Sequence, residues 1–462
     1  MKIILLFSVM SFYLSVNANN IRVSNVTTTG KNITSDFIQV QFDLSWENSW
    51  RTTTGSSNWD AAWVFVKFRI GSGAWQHAWL NDTGHIPASG SSIDPGLLTP
   101  GTAFNATTNP VLGVFVYRNA GGSGTFSLTG MQVRWNYGAN SLGDTFDAEI
   151  QVYAVEMVYV TQGSFVAGDG DTGASQFTMT TISTATATST GGYPTGQTAP
   201  TSSSWPNGFN SFYSMKYKIT QQQYVDFLNT LSSTQASTLY YNSSGTSRHA
   251  ITGSVGAYST TKPYVACNFL SWADLAAILD WMALRPMTEL EYEKACRGAG
   301  RPAVLGEYAW GTTTAVAATG ISNDGSDNER ASNSTSNAVF GSLLSGPLRV
   351  GVFATASSTR VQSGATYYGI MEMSGTLWEQ PITIGNPEGR SFTGTHGNGL
   401  LTTSGAADVS TWPAASGLGS GNRGGCWLHS AMDMRVSGRA EATSNNTFRL
   451  SYRGGRGVRT AP

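Results

Sequence analysis

The chain has 462 residues, of which 40% are hydrophobic and only 12% charged, and its net charge is −1. The hydrophobic share supplies real cores and excludes wholesale disorder. The absent basic excess argues against a nucleic-acid partner and against a polybasic membrane-surface protein.

At the N-terminus, Lys2 precedes an apolar run from Ile3 to Val16, and Val16-Asn17-Ala18 places small residues at a cleavage site. Residues 1–18 therefore read as a secretory signal peptide, and the protein as secreted or displayed at the cell surface. The run is too short for a comfortable membrane span, and no later stretch approaches membrane length. Cys267, Cys296 and Cys426 allow at most one disulfide and read as small buried apolar residues.

Residues 19–155 read as an all-β sandwich. From Ile38 to Trp46 apolar and polar residues alternate strictly, which predicts a half-buried strand with Ile38, Val40, Phe42, Leu44 and Trp46 inward. Trp63–Ile70 is a second strand, apolar on both faces at first. Further strands are expected at 111–117, 125–128, 131–137 and 148–155. The tryptophans between Trp46 and Trp79 read as core, with a carbohydrate-stacking platform as the alternative. Trp75 and Trp79 are the more exposed candidates.

Residues 156–462 change character. Residues 170–205 are rich in Thr, Ser and Gly and read for the most part as long surface loop or edge strand. Gly168, Gly170 and Gly173 spell a dinucleotide fingerprint, but no helix follows and no βαβ unit surrounds them. Capping boxes predict three helices, opened by Thr220/Gln223, Ser271/Asp274 and Thr288/Glu291. The fold class is therefore α+β, with few helices and long loops in the C-terminal part.

Several motifs carry a resemblance. Tyr217-Lys218-Ile219-Thr220 with Tyr224 and Phe227, the run Arg285–Glu293, Tyr308-Ala309-Trp310-Gly311, the run Gly369–Glu379, Arg423-Gly424-Gly425-Cys426-Trp427 with Arg435, and Gly457-Val458-Arg459 follow one another in order. Over about 300 residues this resembles the formylglycine-generating enzyme (sulfatase-modifying factor) family. The resemblance implies a variant of the C-type lectin fold. In oxidising members, two cysteines after the Arg-Gly-Gly strand hold copper. Carried over by spacing from Trp427, those positions are His429 and Met434 here, so the pocket is expected to lack its catalytic metal.

The binding face implied by the fold is the stretch Trp427, His429, Met432, Asp433, Met434 and Arg435, with Arg439. The arginines read either as an anion pocket or as structural braces, and the brace reading is favoured. Asn323, Asp324, Asp327 and Glu329 gather hard oxygen ligands and are the candidate calcium site, against a solvated turn. Thr376 replaces the family's Asn at a second calcium site, although Glu379 remains.

The function expected is non-catalytic and extracellular: binding another copy, or an extracellular protein or glycan. A filament or sheath subunit is the specific form, since few charges let protomers pack without burying unpaired ions. The alternatives are a receptor diversified by a retroelement, or a divergent secreted oxidase.

Overall fold

The computed structural model describes residues 20–173, 175–187 and 191–462. The expected signal peptide lies outside the described residues. The regular structure of the described chain is mostly sheet, with six α-helices among the described residues.

Eight strands come first: β1 (Arg22–Asn32), β2 (Phe37–Arg51), β3 (Asp60–Ile70), β4 (Gln76–His77), β5 (Ser91–Leu97), β6 (Val111–Arg118), β7 (Gly122–Trp135) and β8 (Ala148–Val160). Then follow β9 (Phe165–Ala167), β10 (Thr180–Ile182), β11 (Phe212–Met215), α1 (Gln221–Asn229) and α2 (Ser233–Leu239). The short hairpin β12 (Ile251–Thr252) and β13 (Ser259–Thr260) leads to α3 (Trp272–Trp281), β14 (Arg285–Pro286) and α4 (Glu289–Arg297). The rest is loop with small elements: β15 (Ile321–Ser322), β16 (Arg330–Ala331), α5 (Arg360–Ser363), α6 (Pro387–Arg390), a 3-10 turn at Ala431–Met434, and β17 (Gly457–Thr460).

Two antiparallel sheets organise these elements. One is three-stranded, in the order β1-β2-β7. The other runs β14-β17-β11-β8-β3-β6-β5, with β4 added beside β3. The alternation of β2 points Ile38, Val40, Phe42, Leu44 and Trp46 into the core between the sheets, as the sequence predicts.

β3 is buried along almost its whole length because the large sheet is covered on both faces. Ala62, Val64, Val66 and Phe68 face the small sheet. Trp63 and Phe65 face the opposite core, where they meet Leu275, Ile278, Leu279 and Met282. Trp63 is seated where Gly96 and Gly113 lack side chains: a Cβ on either would fall 2.5–2.6 Å from its ring.

The expected boundary at 155/156 falls inside β8. That strand pairs with β3 on one side and β11 on the other, so one sheet crosses the position without a break. The expected strands 125–128 and 131–137 form the single strand β7, whose partner β2 carries register shifts opposite it. β1 was not foreseen; it is Thr-rich and largely exposed, with no apolar alternation to announce it.

All three predicted helices form, and each shows the reciprocal capping box expected of it. α4 is buried all round, charged residues included. The N-terminal tryptophans are packing residues: Trp46 and Trp63 are fully buried, Trp59 stacks on Tyr159 at 4.1 Å, and half-buried Trp75 lies under Arg69.

Candidate functional site

The C-terminal loop is held by a framework of buried charge. Arg423 is fully buried and pairs with Glu289 at 3.0 Å and Glu293 at 2.7 Å, both from α4. Arg439 reaches the same Glu289 at 2.7 Å, and Arg297 joins Glu293 to Glu307. Burial alone would raise the Glu289 carboxyl, but Arg439 and Arg423 outweigh it and hold the group ionised. A second cluster sets Glu379 against Lys218 at 2.5 Å and Arg456 at 2.7 Å. Burial lowers the Lys218 ammonium to about 8 despite Glu379 beside it. Of these carboxylates, Glu289 and Glu293 are the ones that the sequence reading missed as site residues. Glu289 and Glu293 stand four apart on α4, and that spacing beside an arginine-rich segment was the available signal.

The glycine pair after Arg423 is a requirement of packing. Gly424 and Gly425 both have positive φ, and a Cβ on Gly424 would meet the Met373 carbonyl at 2.4 Å. The segment is then tied to its neighbour: Arg423 and Glu379 exchange backbone hydrogen bonds at 3.0 Å, and the Trp427 N–H donates to the Thr376 carbonyl at 2.9 Å. Thr376 has φ of +72°. This β-branched residue sits in the left-handed region at a steric cost.

The predicted site residues divide into two sets. Trp427, Met434 and Arg439 are buried. Trp427 donates its indole N–H to the Ser451 carbonyl at 3.0 Å, and the Met434 carbonyl accepts from the Ser374 hydroxyl at 2.7 Å. Arg435 is half-buried, with its guanidinium beside Gly306. His429 is also half-buried, its ring between those of Trp378 and Tyr452, each 5.4 Å away. The outward set is Met432, 65% exposed, Leu428, 39% exposed, and half-buried Asp433, which accepts from the Ser430 hydroxyl at 2.8 Å. The loop 341–343 completes this surface. The Ser342 N–H donates to the Trp427 carbonyl and its hydroxyl to the Leu428 carbonyl, which brings exposed Leu343 alongside. Leu343 was not foreseen as a site residue; only tertiary contact brings it beside Leu428.

The donor set does not fit a cuprous dithiolate. Cys426 is buried, and burial pushes its thiol up to about 12 although the N–H groups of Leu428 and His429 favour the thiolate. Burial does the same to Cys296. At His429 and Met434, the two positions that the spacing from Trp427 points to, stand one wedged imidazole and one buried thioether. Among the described residues no three His, Cys, Asp or Glu side chains converge as metal ligands.

In the oxygen-rich loop, Glu329 is fully buried, pairs with Arg248, and accepts from the N–H groups of Gly325 at 2.6 Å and Arg349 at 2.7 Å. Asp324 pairs with Arg248 and Lys262 at 2.6 Å. Asn323 is exposed and Asp327 half-buried at the rim. The chain's own cations therefore hold the two carboxylates.

A cavity of about 490 Å³ lies elsewhere, lined by Trp205, Asn207, Asn210, Arg285, Glu291 and His396. None of these belongs to the C-terminal loop.

A family model described as a sulfatase-modifying factor enzyme 1-like domain matches residues 144–461. No curated protein matches the chain. Among solved structures, Treponema denticola variable protein 1 aligns at 15% identity over 66% of this chain and 96% of its own, with a TM-score of 0.33. The motif order and the match across more than half of the chain agree: the chain belongs to the sulfatase-modifying factor enzyme 1-like domain family.

Proposed function

We propose that the protein is a secreted, non-catalytic binding protein. In this reading an N-terminal β-sandwich is fused to a lectin-type scaffold, and the former catalytic corner presents a binding face. The observation that carries it is the contrast within one loop. Buried Arg423, Arg439 and Met434 fix the backbone, while Met432, Leu428 and neighbouring Leu343 stand in solvent. A rigid loop displaying apolar side chains loses little entropy on binding. Thioether and aliphatic side chains favour a protein surface over a sugar, and a second copy of the chain is the partner that needs no other component.

The test is sedimentation of the purified protein over a range of concentrations, beside the double variant L428D/M432D. Concentration-dependent assembly in the first and monomers in the second are expected. Monomers of the unaltered protein at every concentration would remove the self-association reading. Turnover of a cysteine-containing peptide by copper-loaded protein would overturn the non-catalytic one.

A further inference from the structure

Three ionisable residues meet on adjacent strands where the sheet crosses from the N-terminal part to the family domain. Glu156 lies on β8, Lys216 directly follows β11, and Asp60 opens β3. The pairs Met215–Met157 and Ala62–Glu156 set the register, so Lys216 stands across from Glu156 and Asp60 lies diagonally beyond it. The Lys216 Nζ is 2.9 Å from Glu156 Oε2 and 3.4 Å from Asp60 Oδ2. All three are at most 3% exposed.

Aromatic rings enclose the group. The Trp46 indole N–H donates to Asp60 Oδ2 at 2.9 Å, and the Ser49 hydroxyl and Trp50 N–H donate to Oδ1 at 2.8 and 2.9 Å. The Trp50 ring lies 4.9 Å from the Lys216 nitrogen. Asp60 is thus fixed by three donors. Glu156 is not: its Oε1 is buried without a hydrogen-bond partner among the described residues. A half-satisfied carboxylate in a dry site is costly, and a buried ion pair gains little over a neutral group of the same shape.

We propose that Lys216 and Glu156 condense to an intramolecular isopeptide bond, with Asp60 as the proton carrier. Asp60 takes one proton from the Lys216 ammonium. That proton passes on to the Glu156 carboxyl, which burial inclines toward its neutral form, and the freed amine attacks Cδ to form the Nζ–Cδ bond. One carboxyl oxygen then departs as water, carrying the proton relayed by Asp60 and a second proton from nitrogen. Ammonium plus carboxylate become amide plus water, Asp60 ends as it began, and no oxidant or cofactor enters. The pairing of groups suits this chemistry. Burial raises both carboxyls, which lets Asp60 accept a proton. Burial opposes the Lys216 charge, but Glu156 and Asp60 help to outweigh it and raise its pKa, so proton transfer to Asp60 is the demanding step. The product exchanges two buried charges for one neutral amide. It would lock β8 to β11 by a covalent bond at the seam.

The test is mass spectrometry of the soluble, denatured full chain and of its protease digest. The intact mass is expected to be lower by one water, and the digest to contain one branched peptide joining the segments that carry Lys216 and Glu156. Recovery of both segments unlinked and in full yield would overturn the proposal, whatever any variant does. K216R and D60N should restore the full mass. E156Q should give the same branched peptide with loss of ammonia instead of water, and this outcome separates bond formation from simple loss of an ion pair. A linked peptide in D60N would remove Asp60 from the chemistry.

Discussion

At the residue scale the protein runs against its composition. Few side chains are charged, yet many of them are buried and paired. Arg423 with Glu289 and Glu293 is the deepest case, with all three side chains at zero exposure. Removing one partner leaves the others charged and dry, so Arg423→Met should cost roughly 3–5 kcal/mol, read as a fall in unfolding free energy by urea titration. Thr376 offers the opposite test. Its φ of +72° suits Asn or Gly, so Thr376→Asn should stabilise by about 1 kcal/mol. A histidine supplies the pH dependence. The His85 Nδ1 accepts the Arg134 N–H at 3.1 Å, and its Nε2 faces the Asn81 carbonyl at 2.8 Å, which fixes the neutral tautomer. Burial depresses its pKa from 6.5 to about 4. Between those values the unfolded chain binds the proton and the folded chain does not. Stability therefore rises with pH through that window and is lost as pH falls toward 4, by roughly 1–3 kcal/mol after allowance for partial exposure. His85→Gln should flatten that part of the pH profile; an unchanged slope would assign it to other groups.

At the element scale, what was legible followed from local chemistry. The period of two in β2 and the capping boxes of α1, α3 and α4 are written within a few residues, and the structure shows each. Thr288 illustrates why the signal is strong. It caps α4 through the Glu291 N–H at 3.1 Å, while Glu291 returns a bond to the Thr288 N–H at 3.0 Å and also holds Arg285. Thr288→Ala should cost about 1–2 kcal/mol, at the high end because its hydroxyl also donates to the Pro206 carbonyl at 2.6 Å; thermal unfolding reads it. β1 and the site loop 341–343 were illegible for the converse reason. β1 hides no apolar face, and its place is set by pairing with β2. Leu343 joins the candidate face only because the loop folds over Trp427. The family motifs located the Arg-Gly-Gly segment, but they could not say that Met434 turns inward while Met432 turns out.

At the scale of the whole molecule, the sequence divides into two compositional halves, and the sheet does not. Residues on both sides of position 155 share β8, and residues from both halves share the core on its far face: Trp63, Phe65 and Phe115 from the first, Leu275, Leu279 and Trp281 from the second. Trp63 even donates its indole N–H to the Met282 carbonyl at 2.9 Å, and Arg459 reaches the Leu97 carbonyl at 2.6 Å. The sequence hid this because a strand buried on both faces reads as a continuous apolar run, whatever covers it. The core between the sheets belongs to the first part alone, but the far face of its large sheet loses its cover when that part stands by itself. Fully exposing each large side chain on the far face forfeits about 1.5–3 kcal/mol, and several such losses exceed the whole stability of an ordinary domain. A fragment of residues 20–160 should therefore be insoluble or lack dispersed NMR signals. The full chain should unfold in a single urea transition, with tryptophan fluorescence and far-ultraviolet circular dichroism superimposing. A soluble fragment with its own cooperative transition would mean that the far face is dispensable, and that the two compositional halves are separate folding units joined only by hydrogen bonds along β8.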